Sequence, residues 1–220
     1  MLHFQGERLA YGDHVVLPDV QFRLHPADRV VILGRSGSGK STLLNAIHAR
    51  LAAQGRRDLA LVPQEHGLVP QLSVFHNVYM GRLDRHRPLY NLLNLVWPLP
   101  AERRGVEAAL AHVGLGGLGR KPVAALSGGQ KQRTALARAL HRGGSVLIGD
   151  EPVSAVDERH AAELVAILGR QFPTLVLALH DVALARLIAT RIVGISDGRL
   201  VIDRPAEQVS AEEIDALYRR

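Results

Sequence analysis

A glycine-rich stretch between Gly34 and Ser41 carries the clearest chemistry in the sequence. It reads GRSGSGKS and matches the phosphate-binding pattern G-x-x-x-x-G-K-[ST] at every fixed position. Glycines let the backbone curl closely enough to direct successive N–H groups at one anion. We expect Lys40 to reach the β- and γ-phosphates of a nucleotide and the Ser41 hydroxyl to bind Mg²⁺. The pattern alone does not separate ATPases from GTPases and kinases. The predicted phosphate-binding set is Gly34, Arg35, Ser36, Gly37, Ser38, Gly39, Lys40, Ser41 and Thr42.

A pair of carboxylates follows a second strand-like run. The run SVLIG is apolar, and Asp150 and Glu151 come directly after it. In an open α/β sheet, ligands bind at the carboxyl ends of the strands, so both side chains are expected beside the glycine-rich stretch. Asp150 would hold Mg²⁺, and Glu151 would orient and deprotonate an attacking water. A surface turn without chemistry is the alternative for such a pair taken by itself.

The segment LSGGQ, Leu126 to Gln130, precedes a basic amphipathic helix. Ser127 is a residue type that favours a helix N-cap, and the glycines after it leave backbone N–H groups accessible, which predicts a second anion site. A simple capped helix is the alternative. Because the chain already has one phosphate-binding stretch, a second anion site would be useful only if it met a phosphate held elsewhere.

The order of strand-like and helix-like runs predicts an α/β fold. The strand candidates RVVIL, DLALVPQ, SVLIG and TLVLALH alternate with helical runs, which implies a mostly parallel sheet wrapped by helices. RIVGI and RLVID flank Asp197-Gly198, a hairpin signal, and Ser210 with Glu213 predicts a capping box before the last helix. Prolines divide the stretch after DLALVPQ into short helical pieces. We predict one domain over 1–220, with an α/β core in 1–66 and 126–220 and a helical lobe in about 67–125.

Composition restricts the classes of function that remain. The chain has no cysteine, which excludes disulfides and cysteine-ligated metal sites. Its start lacks the basic and apolar regions of a secretory signal, and no run approaches the roughly 18 to 20 apolar residues of a membrane span, so a soluble protein is expected. Lysine and arginine (27) exceed aspartate and glutamate (21) by six. The surplus is compatible with nucleic acid, an anionic membrane surface or a solvated arginine-rich face.

Together these motifs resemble the ABC ATPase family over nearly the whole chain. The features that carry the resemblance occur in the family's order: Tyr11, GRSGSGKS, Gln64, LSGGQ, VLIGDEP, SAVD and His180. The resemblance implies a P-loop NTPase cassette that binds ATP with Mg²⁺ and works as a dimer. In such a dimer the LSGGQ segment of one chain closes on the nucleotide held by the other. The residues that would make this contact are Ser127, Gly128, Gly129 and Gln130.

The same resemblance implies roles for further residues. Tyr11 would stack on adenine, and Gln64 would sense Mg²⁺ and the attacking water and link the site to a membrane permease. Asp157, in SAVD, is similar to an aspartate at the dimer interface, and His180 would contact the γ-phosphate and position Glu151. The catalytic set is then Glu151, His180 and Gln64, and the Mg²⁺ set is Ser41, Gln64 and Asp150.

The segment between Ser41 and Gln64 departs from the family pattern. It is far shorter than usual, and the glycine-rich hairpin stretch normally found there is missing. The antiparallel β part of the cassette is therefore expected to be reduced, which affects the neighbourhood of Gln64.

The stretch HRPLYNLLNLVWPLP, with EPVSAVD and LHDVALA, is similar to phosphonate-importer ATPases. This similarity implies a cytoplasmic importer subunit, peripheral on the inner face of the cell membrane, which works with integral permease subunits and an external solute-binding protein. The apolar stretch around Trp97 either packs as local core or, if exposed, forms a docking patch.

Two rival hypotheses remain open from the sequence. A non-transport ABC ATPase acting on nucleic acid or ribosomes is compatible with the basic surplus. Such family members usually carry two cassettes in one chain or a long coiled-coil insertion, and neither occurs here, so no nucleic acid is expected. A degenerate cassette would bind ATP without turnover, whereas every catalytic position of this sequence is filled.

Overall fold

A twisted sheet of mostly parallel strands forms the centre of the molecule. The computed structural model describes residues 2–219, with only the backbone of Tyr11. The sheet has the strand order β4-β5-β6-β3-β7-β8, in which β8 alone runs antiparallel to its neighbour. This arrangement confirms the predicted α/β class. Its strands are β3 (Arg29–Leu33), β4 (Leu59–Val62), β5 (Val146–Asp150), β6 (Thr174–Ala178), β7 (Arg191–Ser196) and β8 (Arg199–Pro205).

The turn between β7 and β8 is the hairpin that the Asp197-Gly198 pair predicts. Asp197 has φ 48° and Gly198 has φ 70°, so both central residues are left-handed. This geometry matches the twist of a tight antiparallel hairpin.

Helices cover both faces of the sheet. Leu43 and Ile47 of α1 pack with Ile32 and Ile148 on one face. Leu136 of α5 and Val165 of α6 belong to the apolar cluster on the other face. Ser210 and Glu213 form the expected capping box at the start of the last helix. The helices outside the lobe are α1 (Lys40–Ala53), α5 (Gly128–Arg142), α6 (Glu158–Gln171), α7 (Val182–Ile188) and α8 (Ala211–Ala216).

A two-stranded antiparallel hairpin at the start of the chain packs against α1. It consists of β1 (Leu2–Tyr11) and β2 (His14–Leu24), and it buries Phe4, Leu17 and Phe22 in the same cluster as α1. Only a short connection joins α1 to β4. The antiparallel part is therefore small, as the shortened segment before Gln64 predicts.

The helical lobe contains α2 (Val74–Tyr79), α3 (Pro88–Val96) and α4 (Pro100–His112), with 3₁₀ turns at 80–85 and 123–125. Helices α2 and α4 pack on α5, whose opposite side packs on β4. Buried side chains of the lobe and of the sheet therefore belong to one continuous apolar cluster. The division at 66/67 and 125/126 stays a prediction.

Helix α3 turns an apolar side to solvent. Trp97 is 76% exposed and Val96 is 77% exposed, with Leu89, Leu92 and Leu93 all more than half exposed. The alternative in which Trp97 belongs to a local core is therefore wrong. Asn94 and Tyr90 hold the inner side of the helix, because Asn94 is fully buried and the Tyr90 hydroxyl donates to Glu102 Oε1 over 3.0 Å.

Within residues 2–219, no helix is both long enough and apolar enough to cross a lipid bilayer.

Candidate functional site

The glycine-rich loop joins β3 to α1, and two of its glycines have backbone conformations in which a side chain would be strained. Gly34 has φ 147°, and a Cβ there would collide with the Ile195 carbonyl oxygen. Gly39 has φ 109°, and a Cβ there would lie 2.9 Å from Leu17 Cδ2. Because Gly39 occupies the N-cap of α1 without a side chain, the N–H groups of the first turn have no side-chain cap from it. Such a helix start suits an anion.

Lys40 is fixed across this loop by two backbone carbonyls of the loop. Its Nζ donates to the carbonyl oxygens of Gly34 and Arg35, each over 2.9 Å, and the residue is only 6% exposed. Burial lowers the pKa of Lys40, and the nearby carboxylates of Glu151 and Asp150 oppose that shift. An ammonium group has three donors, so one remains for a phosphate oxygen.

Three oxygen-bearing side chains converge where α1 begins. The Ser41 hydroxyl donates to Asp150 Oδ2 over 2.5 Å, and Gln64 Oε1 lies 3.5 Å from the same hydroxyl. Asp150 ends β5 and is 9% exposed. A hydroxyl, a carboxylate and an amide oxygen are the hard donors that Mg²⁺ prefers. The donor set therefore fits this ion.

Glu151 follows directly and is held in an unusual backbone conformation. Its φ of 51° is left-handed, and its N–H donates to the Ala178 carbonyl over 3.0 Å. His180, which follows β6 after one residue, places Nε2 2.5 Å from Glu151 Oε1. A carboxylate and an imidazole in contact at the carboxyl edge of the sheet can take and hold a proton from a water.

These side chains line one open cleft of about 330 Å³. Gly34, Arg35 and Ser38 shape the loop but are not among the described lining residues.

His14 and Val16 also line the cleft, and sequence reasoning missed both. They follow the Gly12-Asp13 turn of the N-terminal hairpin, which was the available signal. The Tyr11 side chain lies outside the described residues. The lining consists of His14, Val16, Ser36, Gly37, Gly39, Lys40, Ser41, Thr42, Gln64, Asp150, Glu151 and His180.

The LSGGQ segment lies at the start of α5, and none of its residues is among the described residues that line this cleft. Ser127 and Gln130 form a reciprocal capping box: Ser127 Oγ accepts from the Gln130 N–H over 3.3 Å, and Gln130 Oε1 accepts from the Ser127 N–H over 3.1 Å. Ser127 and Gly128 are exposed, and a Cβ on Gly128 would meet nothing within 4 Å. The exposed part of the segment is therefore an open surface away from the described lining of the cleft.

Asp157 also lies away from the cleft lining. It caps α6 by accepting from the His160 N–H over 3.1 Å, and its Oδ2 lies 2.6 Å from His160 Nδ1. These hydrogen bonds lower the pKa of the Asp157 carboxyl. Within one chain, Asp157 therefore caps α6. Its predicted role at an interface would involve a second chain and stays a prediction.

Gln132 is a third residue that sequence reasoning missed. It belongs to α5, yet its Nε2 donates to the Glu151 carbonyl oxygen over 2.5 Å. No motif singled it out, because the contact joins segments 19 residues apart.

Comparison with known proteins gives the same family on three counts. The family model for ABC transporters matches residues 17–154. A phosphonates import ATP-binding protein of Natronomonas pharaonis is 40% identical over 99% of this chain and 99% of that protein. A macrolide export ATP-binding/permease protein of Sodalis glossinidius is 36% identical over 94% of this chain but only 35% of that protein.

A solved structure of a dimeric bacterial ABC transporter cassette is similar in fold. It superposes with a TM-score of 0.80 at 25% identity, covering 94% of this chain and 99% of that one. The chain belongs to the ABC transporter family, as an ATP-binding subunit that hydrolyses ATP.

Proposed function

We propose that the chain drives an importer for phosphonates or similar small oxyanions, by coupling ATP binding and hydrolysis in a cassette dimer to separate permease subunits. One observation carries the dimeric part of the proposal. The cleft holds Lys40, Ser41, Asp150, Glu151 and His180, whereas the LSGGQ segment lies outside the described lining. A second copy would supply that segment to the nucleotide.

Each of these cleft residues has a defined task in the proposed hydrolysis. Lys40 stabilises the charge on the β- and γ-phosphates, and the N–H groups at the start of α1 bind the same oxygens. Mg²⁺, held by Ser41, Asp150 and Gln64, would neutralise phosphate charge. Glu151 accepts the proton of the attacking water, and His180 holds the Glu151 carboxylate in place through the 2.5 Å contact.

Import is supported by how much of each relative the chain matches. The phosphonate-import relative matches the chain over nearly the full length of both proteins. The macrolide exporter instead combines its ATP-binding part with a permease in one longer chain, of which this chain covers 35%. Of these two relatives, the import protein is the one matched over nearly its whole length, which favours import.

The exposed side of α3 is the proposed contact with the permease. Leu89, Leu92, Leu93, Val96 and Trp97 form this α3 apolar patch. A set of large apolar side chains clustered on one helix of a monomer marks an interaction site, whereas single exposed ones do not. Replacing Leu92 and Leu93 by serine should weaken copurification with the permease. Leu187→Ser is the matched control, since Leu187 is 61% exposed on α7. Equal copurification of both variants would exclude the patch as the contact.

Several arginines pair with a carboxylate of the same chain, which reduces the charge that they offer to a nucleic acid. Their guanidinium groups contact carboxylates of the same chain, so their charge is offset locally. The pairs are Arg50–Glu7, Arg56–Asp58, Arg142–Asp84, Arg191–Asp203 and Arg204–Glu213.

Uptake into proteoliposomes tests the proposal. The chain, its copurifying permease and the solute-binding protein would be reconstituted with ATP on the cassette side, and entry of labelled methylphosphonate and of inorganic phosphate measured separately. Uptake that requires ATP and stops in Glu151→Gln supports import. ATP-driven efflux contradicts import. If ATP drives the uptake of neither methylphosphonate nor phosphate, the assigned substrate class is wrong.

A further inference from the structure

Gln132 links two parts of the site that the sequence motifs treat as separate. It lies in the second turn of α5, the helix that begins at the LSGGQ segment, and it is half-buried. Its Nε2 donates to the Glu151 carbonyl oxygen over 2.5 Å and to Ser154 Oγ over 2.7 Å. An amide has two N–H donors, so both contacts can exist together. Gln132 is not among the described residues lining the cleft.

Glu151 needs such a contact because its backbone is strained. A left-handed φ is unfavourable for a residue with a Cβ and persists only where neighbouring groups fix it. The Glu151 N–H is fixed by the Ala178 carbonyl. Its carbonyl oxygen is fixed by Gln132 and, over 3.2 Å, by the Ser154 hydroxyl. Of these groups, only Gln132 comes from outside the sheet and the loop that follows β5.

The position of Gln132 depends on the start of α5. Ser127 caps the helix, and Gln132 lies five residues further, about 7 Å along the axis at 1.5 Å per residue. Gly129 also packs against this loop, since a Cβ on it would lie 3.4 Å from the Ala155 carbonyl oxygen. A helix moves as a rigid unit, so a shift at Ser127 moves the Gln132 amide relative to β5.

We propose that Gln132 is a positioning residue for Glu151 and couples that carboxylate to the LSGGQ end of the same chain. The inference rests on the proposed function, in which that end contacts the nucleotide of the partner chain. Each Glu151 is then aligned by closure at the opposite site. Gln132 itself takes part in no bond making or breaking.

The kinetic test compares Gln132→Ala with Lys131→Ala, its neighbour on the same helix with similar exposure. We expect Gln132→Ala to lower kcat by about 10- to 100-fold, because a misplacement of about 1 Å has effects of that size. KM for ATP should stay within about twofold, and Lys131→Ala should match wild type. Gln132→Leu, which keeps the side-chain volume without the donor, should behave like Gln132→Ala. Unchanged kcat in both Gln132 variants would overturn the proposal.

A double-variant comparison separates positioning from general damage. If Gln132 acts through Glu151, then Gln132→Ala should lower the residual turnover of Glu151→Gln by less than about twofold. The full single-variant loss repeated in the Glu151→Gln background would contradict the proposal.

Hydrogen exchange gives a readout that does not need ATP hydrolysis. In the nucleotide-free chain, Gln132→Ala should raise the exchange rate of the peptide over 148–156 at least threefold and leave α1 unchanged. Unchanged exchange over 148–156 would overturn the positioning role. Normal turnover in Glu151→Gln would instead remove the proposed hydrolytic role of Glu151, so the two failures can be told apart.

Discussion

The molecule contains two glycine-containing helix starts suited to anions, and they differ in what surrounds them. In the loop 34–41, Gly34 and Gly39 are buried, Lys40 is fixed by two carbonyl contacts, and acidic side chains face it across the cleft, while residues 35–37 are exposed. In the segment 126–130, Ser127 and Gly128 are exposed, and Ser127 and Gln130 satisfy each other through a capping box. Both helices can attract phosphate through their N-terminal N–H groups.

This difference indicates that the two helix starts have different partners. The first shares one cleft with the oxygens of Ser41, Asp150 and Gln64 and with Glu151, the proposed base. The second has only an open surface near Gly128. We interpret the first as the greater part of a site and the second as the part that a chain gives to its partner.

Replacing the base should have the largest effect. Glu151→Gln removes proton acceptance while keeping the side-chain shape, so kcat should fall by about 10²- to 10⁴-fold. ATP affinity should stay close to wild type. A phosphate-release assay with Glu163→Gln as control measures this, because Glu163 is an exposed acid on α6. Turnover near the wild-type rate would remove Glu151 from its role.

Loss of the loop lysine should come next. Lys40→Ala removes a charge-assisted donor to phosphate and leaves the Gly34 and Arg35 carbonyls without their ammonium partner. The dissociation constant for ATP should rise about 100-fold, equivalent to about 3 kcal/mol. Titration calorimetry against Lys131→Ala checks this. Similar affinities for the two variants would contradict a special role for the loop 34–41.

Glycine at position 34 should matter for thermal stability, whereas glycine at position 128 should not. Gly34→Ala meets a backbone oxygen at φ 147°, whereas Gly128→Ala enters open space. Strain of about 1–3 kcal/mol should lower the Tm of Gly34→Ala by about 2–12 °C, and Gly128→Ala should change it by about 1 °C or less. Equal melting temperatures would mean that the two loops are not under different steric constraint.

The far end of α5 offers a smaller, pH-dependent effect. Burial, with the nearby Arg82 charge, lowers the pKa of His141 to about 4, while Glu102 opposes the shift. The unfolded chain then binds more protons between pH 6.5 and 4, so stability falls as pH falls through that range. Between pH 7 and 5 the loss is about 2 kcal/mol from this group.

Urea unfolding at pH 7 and 5 measures that loss. His141→Gln should remove most of the His141 contribution, and His112→Gln, an exposed histidine on α4, should retain it. A pH dependence that is the same in both variants would show that His141 titrates normally. The pH dependence would then say nothing about how α5 is anchored in the lobe.

The parts of the structure with local signals were predictable. Helix α6 begins at Glu158 after Asp157, a residue type that favours the N-cap position. The β7–β8 hairpin follows from the left-handed tolerance of Asp197 and Gly198. The main sheet follows from alternating strands and helices.

Features that depend on distant contacts were not predictable. Sequence reasoning did not single out the β1–β2 hairpin, although Val20, Phe22 and Leu24 of β2 alternate with exposed residues, and its register shifts depend on how the two strands pair. The exposure of Trp97 contradicts what an apolar run favours, and only the packing of the opposite side of α3 determines it. The Gln132–Glu151 contact joins residues that no short motif connects.

ATP-driven dimer formation tests the central claim most directly, namely that one nucleotide site needs two chains. Light scattering would compare Glu151→Gln with Glu151→Gln/Ser127→Arg in Mg²⁺ and ATP, with nucleotide affinity measured separately at protein concentrations too low for association. We expect the first variant to double its mass from 23.9 kDa and the second to stay monomeric with the same ATP affinity. Equal dimer formation by both, or loss of ATP binding in the second, would contradict the account.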